Sequence, residues 1–251
     1  VIARNSRACV EDDLVGLLEA TVCLLCNTRA ETDWVIKGQS FVIELGDWLH
    51  ELYPQTKNLL LYRHAETWLR SGLRAYSSVI ERTEEERRAR DKQGREVLGA
   101  LVPSIADYDA NLLLSHAEML ALMWLRAMER YVQLCRMGME MLAIRYASWL
   151  SAPRETAEVM LEYCQCLPAD MTAIYEALER DSQAGTALSR EAIRQRGRVI
   201  TETQLEELHR HLQRHAFIHE ADYEVPNTLK IHGALLRERS SENAKARTRK
   251  Q

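Results

Sequence analysis

The stretch "KNLLLYR", residues 57–63, constrains the fold more than any other. Its apolar residues are consecutive rather than alternating, and a charge closes it at each end. That pattern is expected of a parallel strand buried on both faces. Such a strand needs helical crossovers, and the sequence supplies them. In "EDDLVGLLEATVCLLCNT", Leu14, Leu17, Leu18, Val22 and Leu25 fall on one helical face. "TDWVIKG", residues 32–38, is short, β-branched and stopped by Gly38, and reads as a strand. Residues 43–53 return to helical spacing before Pro54.

Helical spacing resumes over 66–80. "ERTEEERRARDKQGRE", residues 81–96, mixes both charge signs without an apolar stripe and reads as a solvated helix. Residues 111–135 form a long helix with a broad apolar face, its methionines filling core. "EMLAIRYASWL", residues 140–150, gives a third strand that ends near Arg145 and Tyr146. Pro153 opens a further helix, and others are expected over 170–180 and 202–215.

This order predicts an α/β fold in three layers, a parallel sheet flanked by helices, with a helix-rich C-terminal half. A chain of 251 residues, 46% apolar, is accommodated as one domain over 1–236. Residues 237–251 are polar, basic and aperiodic, as a disordered tail is. Ligands of such sheets bind beyond the carboxyl ends of the strands. Lys37, Arg63 and the Arg145-Tyr146 pair close the three expected strands, and they are expected to converge on one anionic ligand.

The net charge of −4 gives no overall attraction to nucleic acid. No stretch approaches about 20 uninterrupted apolar residues, so no membrane span is expected. The six cysteines, Cys9, Cys23, Cys26, Cys135, Cys164 and Cys166, form no disulfide framework. They are expected to be reduced, in a cytoplasmic protein. Cys23 and Cys26 have Cys-x-x-Cys spacing, but no second pair or matching histidines complete a metal site. They read instead as buried thiols of an apolar helix.

The Arg63-His64 pair admits two readings. "LYRHAET" resembles the first motif of the histidine phosphatases. In that reading His64 is the nucleophile, and Arg63 and His116 bind the phosphoryl group. Periodicity places His116 on a long helix, however, and the family's Ser-Pro-Leu-x-Arg-Ala element is absent.

The second reading rests on four segments in order between Trp34 and about Arg190, which together resemble the sulfotransferases that use 3′-phosphoadenosine 5′-phosphosulfate. In "WVIKGQSF", Lys37 matches the family lysine that stabilises charge on the transferring sulfonate. Gln39 stands where many members carry a histidine base. In "ELYPQTKNLLLYRHAETWLRS", Arg63 and Ser71 match the pair that holds the nucleotide's 3′-phosphate, a guanidinium fork and a hydroxyl. In "AIRYASWLSAPRET", Tyr146 matches the tyrosine beside the adenine, and Ala147-Ser148 replaces the family's acidic pair. In "RDSQAGTALSRE", Ser182, Gln183, Gly185 and Thr186 resemble a polar loop near the nucleotide.

The resemblance implies transfer of a sulfonate from that donor to a hydroxyl or amine of a small-molecule or glycan acceptor, without a metal. His116 is the titratable candidate for the base. The family's Gly/Ser/Thr-rich phosphosulfate loop is not found before Glu11. The chain is therefore expected to be N-terminally incomplete, or a non-catalytic relative that binds nucleotide or protein partners.

Overall fold

The computed structural model describes residues 11–27, 34–75, 83–109, 112–181, 183–186, 189–195 and 200–231. In order, the described elements are α1 (Glu11–Leu25), a 3-10 helix (Ser40–Leu45), α2 (Gly46–Leu52), β1 (Asn58–Tyr62), α3 (Ala65–Ala75), α4 (Glu84–Val97), α5 (Pro103–Ala106) and α6 (His116–Arg136). Then come β2 (Met141–Arg145), α7 (Tyr146–Ser151), α8 (Pro153–Tyr163), α9 (Thr172–Glu179), α10 (Arg190–Gln195) and α11 (Glu202–Arg214).

β1 and β2 pair in parallel, in register from Asn58 against Met141 to Tyr62 against Arg145. On the far side of β2, Ala143 donates to the Asn227 carbonyl at 3.1 Å and accepts from the Leu229 amide at 2.8 Å. The result is a small α/β fold: a two-stranded parallel sheet flanked by helices, with a helix-rich C-terminal half.

Helix α6 is the spine of the core. Ser115 caps it, accepting from the Glu118 amide while the Glu118 carboxylate accepts from the Ser115 amide. That reciprocal box satisfies two orphan amides of the first turn. Apolar residues surround α6 on most sides, so neighbours pack on it from several directions. α3 contributes Leu69 and Leu73, α11 contributes Leu208 and Leu212, and all four meet Trp124 and Tyr131 in one cluster. Each such side chain contributes about 1.5–3 kcal/mol by leaving water. Leu69→Ala would cost roughly 2–5 kcal/mol once the cavity is included.

Ion pairs dock the 3-10 helix and α2 onto α6. Arg126 clamps Glu44 with two bonds of 2.6 Å, and Arg130 meets Asp47 at 2.8 Å.

Four expectations need correction. Residues 34–39 form no strand; they are irregular and exposed, with Val35 at 87%. A β-branched run becomes a strand only beside a partner edge, and none adjoins this segment among the described residues. Residues 32–33 lie outside the described set. Second, β1 is not buried on both faces: Leu59 and Leu61 are exposed while Tyr62 is buried. Its second face is uncovered among the described residues, and its burial alternates as an edge strand's does. Third, α4 is not merely solvated. Asp91 is buried, accepting from Arg95 Nε and from the Leu114 amide at 2.9 Å. Gly94 lies against Met119 so closely that a Cβ would sit 2.3 Å from its sulfur. Fourth, Cys23 is exposed and Cys26 only half-buried, because the inward stripe of α1, Leu14, Leu18 and Val22, is itself no more than half-buried among the described residues.

The five described cysteines are free thiols. Among the described residues no helix is long and apolar enough to cross a membrane. Cys9, residues 76–80 of the expected helix and the basic tail lie outside the described set.

Candidate functional site

Parallel register decides what meets beyond the strands. β1 and β2 end together at Tyr62 and Arg145, so the next residues, Arg63 and Tyr146, emerge side by side. The Arg63 guanidinium carbon lies 3.7 Å from the Tyr146 ring centroid, a stacked cation–π contact. The backbone under it is fixed. Trp124, on α6, donates its indole N–H to the Arg63 carbonyl at 2.8 Å. The Ala65 amide, first in α3, donates to the Ala221 carbonyl at 2.9 Å. His64 serves this turn: its Nδ1 accepts from the Glu66 amide at 3.3 Å and its carbonyl from the Thr67 hydroxyl at 2.8 Å.

Arg63 is half-buried, yet among the described residues its guanidinium has neither a carboxylate nor a hydrogen-bond acceptor. Arg145, its neighbour across the sheet, is fully engaged. Its Nε donates to the Tyr62 hydroxyl at 3.1 Å, one Nη to the Asp222 carbonyl at 2.7 Å, and the other meets the Asp222 carboxylate at 3.1 Å. Burial works against the Arg145 charge, but the Tyr62 hydroxyl and the Asp222 and Glu224 carboxylates outweigh it and hold the proton more firmly than usual. Arg145 is therefore a structural clasp and not a free anion reader, a correction to its expected role.

The other expected site residues are dispersed to different degrees. Ser71 is half-buried on α3, six residues past Ala65, or roughly 9 Å of helix rise. Lys37 and Gln39 lie on the exposed irregular segment before the 3-10 helix, and the strand expected to aim them is not formed. His116 is the first residue of α6, eight residues before Trp124 and so roughly 12 Å of rise from the Arg63 turn. The phosphatase reading needs His64 and His116 on one phosphoryl group, and this arrangement does not favour it.

Gln183, Gly185 and Thr186 lie in a self-bonded turn. The Gln183 amide donates to Asp181 Oδ1 at 3.0 Å, and the Thr186 hydroxyl donates to the Gln183 carbonyl at 2.8 Å. Gly185 has φ +78°, a left-handed conformation that explains the glycine. Ser182 lies outside the described residues.

Sequence reasoning missed the segment 216–231. It brings Ala221 and Asp222 to the site, and it presents the Pro226 carbonyl to the Tyr131 hydroxyl at 3.0 Å. Its part is played largely by backbone carbonyls, which leave no signature in side-chain pattern. Trp124 was also missed; an indole on an apolar helix face was its one signal.

Among the described residues, no group of three or more His, Cys, Asp or Glu side chains is arranged to hold a metal ion. No family model, no curated protein and no solved structure matches this chain.

Proposed function

We propose that the carboxyl end of the sheet is an anion site for an adenosine nucleotide bearing a 3′-phosphate, in a sulfotransferase-like protein. The single observation that carries this reading is the half-buried Arg63 guanidinium, stacked on Tyr146 and without an acceptor among the described residues. A cation in that setting needs a counter-charge. Stacking orients the guanidinium plane and leaves its N–H edges for a bidentate oxyanion. Tyr146 offers an aromatic surface beside it for a base. Ser71 supplies a hydroxyl from the following helix.

In the full reading, a sulfonate passes from 3′-phosphoadenosine 5′-phosphosulfate to an acceptor hydroxyl or amine. The acceptor heteroatom bonds to sulfur, the bridging S–O bond breaks, adenosine 3′,5′-bisphosphate leaves, and the acceptor proton goes to a base. A binding-only protein is the second reading. The exposure of Lys37 and Gln39 on an irregular segment favours it, because neither is held toward Arg63.

Calorimetric titration of adenosine 3′,5′-bisphosphate tests the shared claim. Saturable 1:1 binding is expected, weakened about 100-fold in Arg63→Ala by loss of a bidentate charge-assisted contact. Absence of binding to a folded sample, or equal binding by the variant, would overturn it. Turnover of the donor with a panel of hydroxyl and amine acceptors separates the two readings.

A further inference from the structure

A cavity of about 470 Å³ opens at the other end of the core, between α4, the loop before α6, the first turn of α6, and α11. Its charges are not equivalent. Glu118 is buried and committed: it accepts from the Ser115 amide at 2.9 Å and meets Arg210 and His211 at 3.4 Å each. Glu207 accepts from the Ser115 hydroxyl at 2.7 Å. Burial and then the Glu118 charge push the Glu207 carboxyl above the usual glutamate range, against the Ser115 hydroxyl and the Arg210 and Arg87 charges. Arg214, by contrast, lines the cavity with no acceptor among the described residues.

The cavity also has an apolar lip. Leu112 and Leu113 stand exposed at 51% and 38%, beside the Tyr108 ring. Arg95 holds this lip in place by donating to the carbonyls of Tyr108 at 2.7 Å, Asp109 at 3.1 Å and Leu112 at 2.6 Å. Exposed leucines beside a cavity are a surface on which an apolar body can lie. The volume falls within the roughly 300–1,000 Å³ of small-molecule sites.

We propose that this cavity binds an amphipathic monoanion, a carboxylate or sulfonate on an alkyl or aryl body. The head group sits on Arg214 and the body lies against Leu112, Leu113 and Tyr108. The site is independent of the nucleotide reading, since it shares none of the residues assigned there.

Octanoate is the probe, titrated into the whole chain by calorimetry. One molecule is expected to bind, about tenfold more weakly in Arg214→Gln, the worth of one charge-assisted contact. Arg154→Gln, which removes a surface charge away from the cavity, is expected to bind as the parent does. Leu113→Asp is expected to abolish binding by placing a carboxylate where the alkyl body lies. Octylammonium is expected not to bind. Three results would overturn the proposal: no octanoate binding by the folded protein, undiminished binding by Arg214→Gln, or equal affinity for octylammonium.

Discussion

Arg63 and Arg145 stand within one register step of each other at the same end of the same sheet, and the fold treats them oppositely. Arg145 is tied to Tyr62 and twice to Asp222. Arg63 rests on the Tyr146 ring and keeps its N–H edges uncommitted among the described residues. The difference comes from one segment. Ala221 bonds the Ala65 amide just past Arg63, and the next residue, Asp222, meets Arg145 and not Arg63. A guanidinium answered by the protein's own carboxylate contributes to the fold. One left half-buried without an acceptor among the described residues contributes no such bond and keeps its N–H groups for water or a ligand. The comparison therefore separates an arginine tied into the fold from one that the proposed reading assigns to a ligand.

The largest expected effect breaks the pair at Arg63. Arg63→Ala is expected to weaken bisphosphate binding about 100-fold. It removes only a cation–π contact from the folded state, so stability by urea titration should shift by about 1 kcal/mol or less. A large loss of stability would instead make Arg63 structural.

Arg145→Met should invert that pattern. It removes charge-assisted bonds to a hydroxyl, a carbonyl and a carboxylate, and an expected cost of about 2 kcal/mol follows. Tyr62 keeps its bond to the Thr228 hydroxyl at 2.9 Å, which limits the damage. The folded fraction should bind the bisphosphate with parental affinity. A parallel loss of affinity would place Arg145 in the site after all.

How much of this was legible in the sequence depends on which atoms do the work. β1, β2 and α6 were legible as elements because apolar runs and helical spacing mark them, although the run in β1 did not predict its exposed Leu59 and Leu61. The meeting of Arg63 and Tyr146 was legible too, since both follow strand ends in a parallel sheet. The different fates of the two arginines were not, because they rest on where the aperiodic segment 216–231 is laid down. That segment binds through the carbonyls of Ala221, Asp222 and Pro226, and any residue has a carbonyl. The buried Asp91 was hidden for a related reason. An aspartate in a charged run reads as solvated until Arg95 and the Leu114 amide are known to surround it. Residues 32–38 failed in the opposite direction, because strand propensity without a partner edge does not make a strand.

A smaller effect contrasts the two ends of the core by pH. Burial pushes the Glu118 carboxyl up, but hydrogen bonds from His211 and the Ser115 amide, with the His211 and Arg210 charges, outweigh it and hold the group below the usual glutamate range. A folded-state value below the unfolded one gives stability that is fully present above the unfolded value of about 4.3 and lost as pH falls through the folded value. Glu118→Gln should therefore cost about 1.5 kcal/mol at pH 7. The gap from the parent should close in urea titrations below about pH 4. A gap that persists in acid would assign the loss to packing instead.

The smallest effect sharpens the comparison at its centre. Tyr146 can act on the nucleotide in two ways, by orienting Arg63 through its ring or by bonding the base through its hydroxyl. Tyr146→Phe keeps the ring and removes the hydroxyl; Tyr146→Leu removes both. If orientation is the role, Phe should bind the bisphosphate as the parent does. Leu should then bind about two- to fivefold more weakly, the worth of a partly exposed cation–π contact. If the hydroxyl is the role, Phe and Leu should weaken binding equally. Should Leu match the parent, the 3.7 Å stack would be a resting place for Arg63 rather than a support, and the guanidinium alone would carry the site.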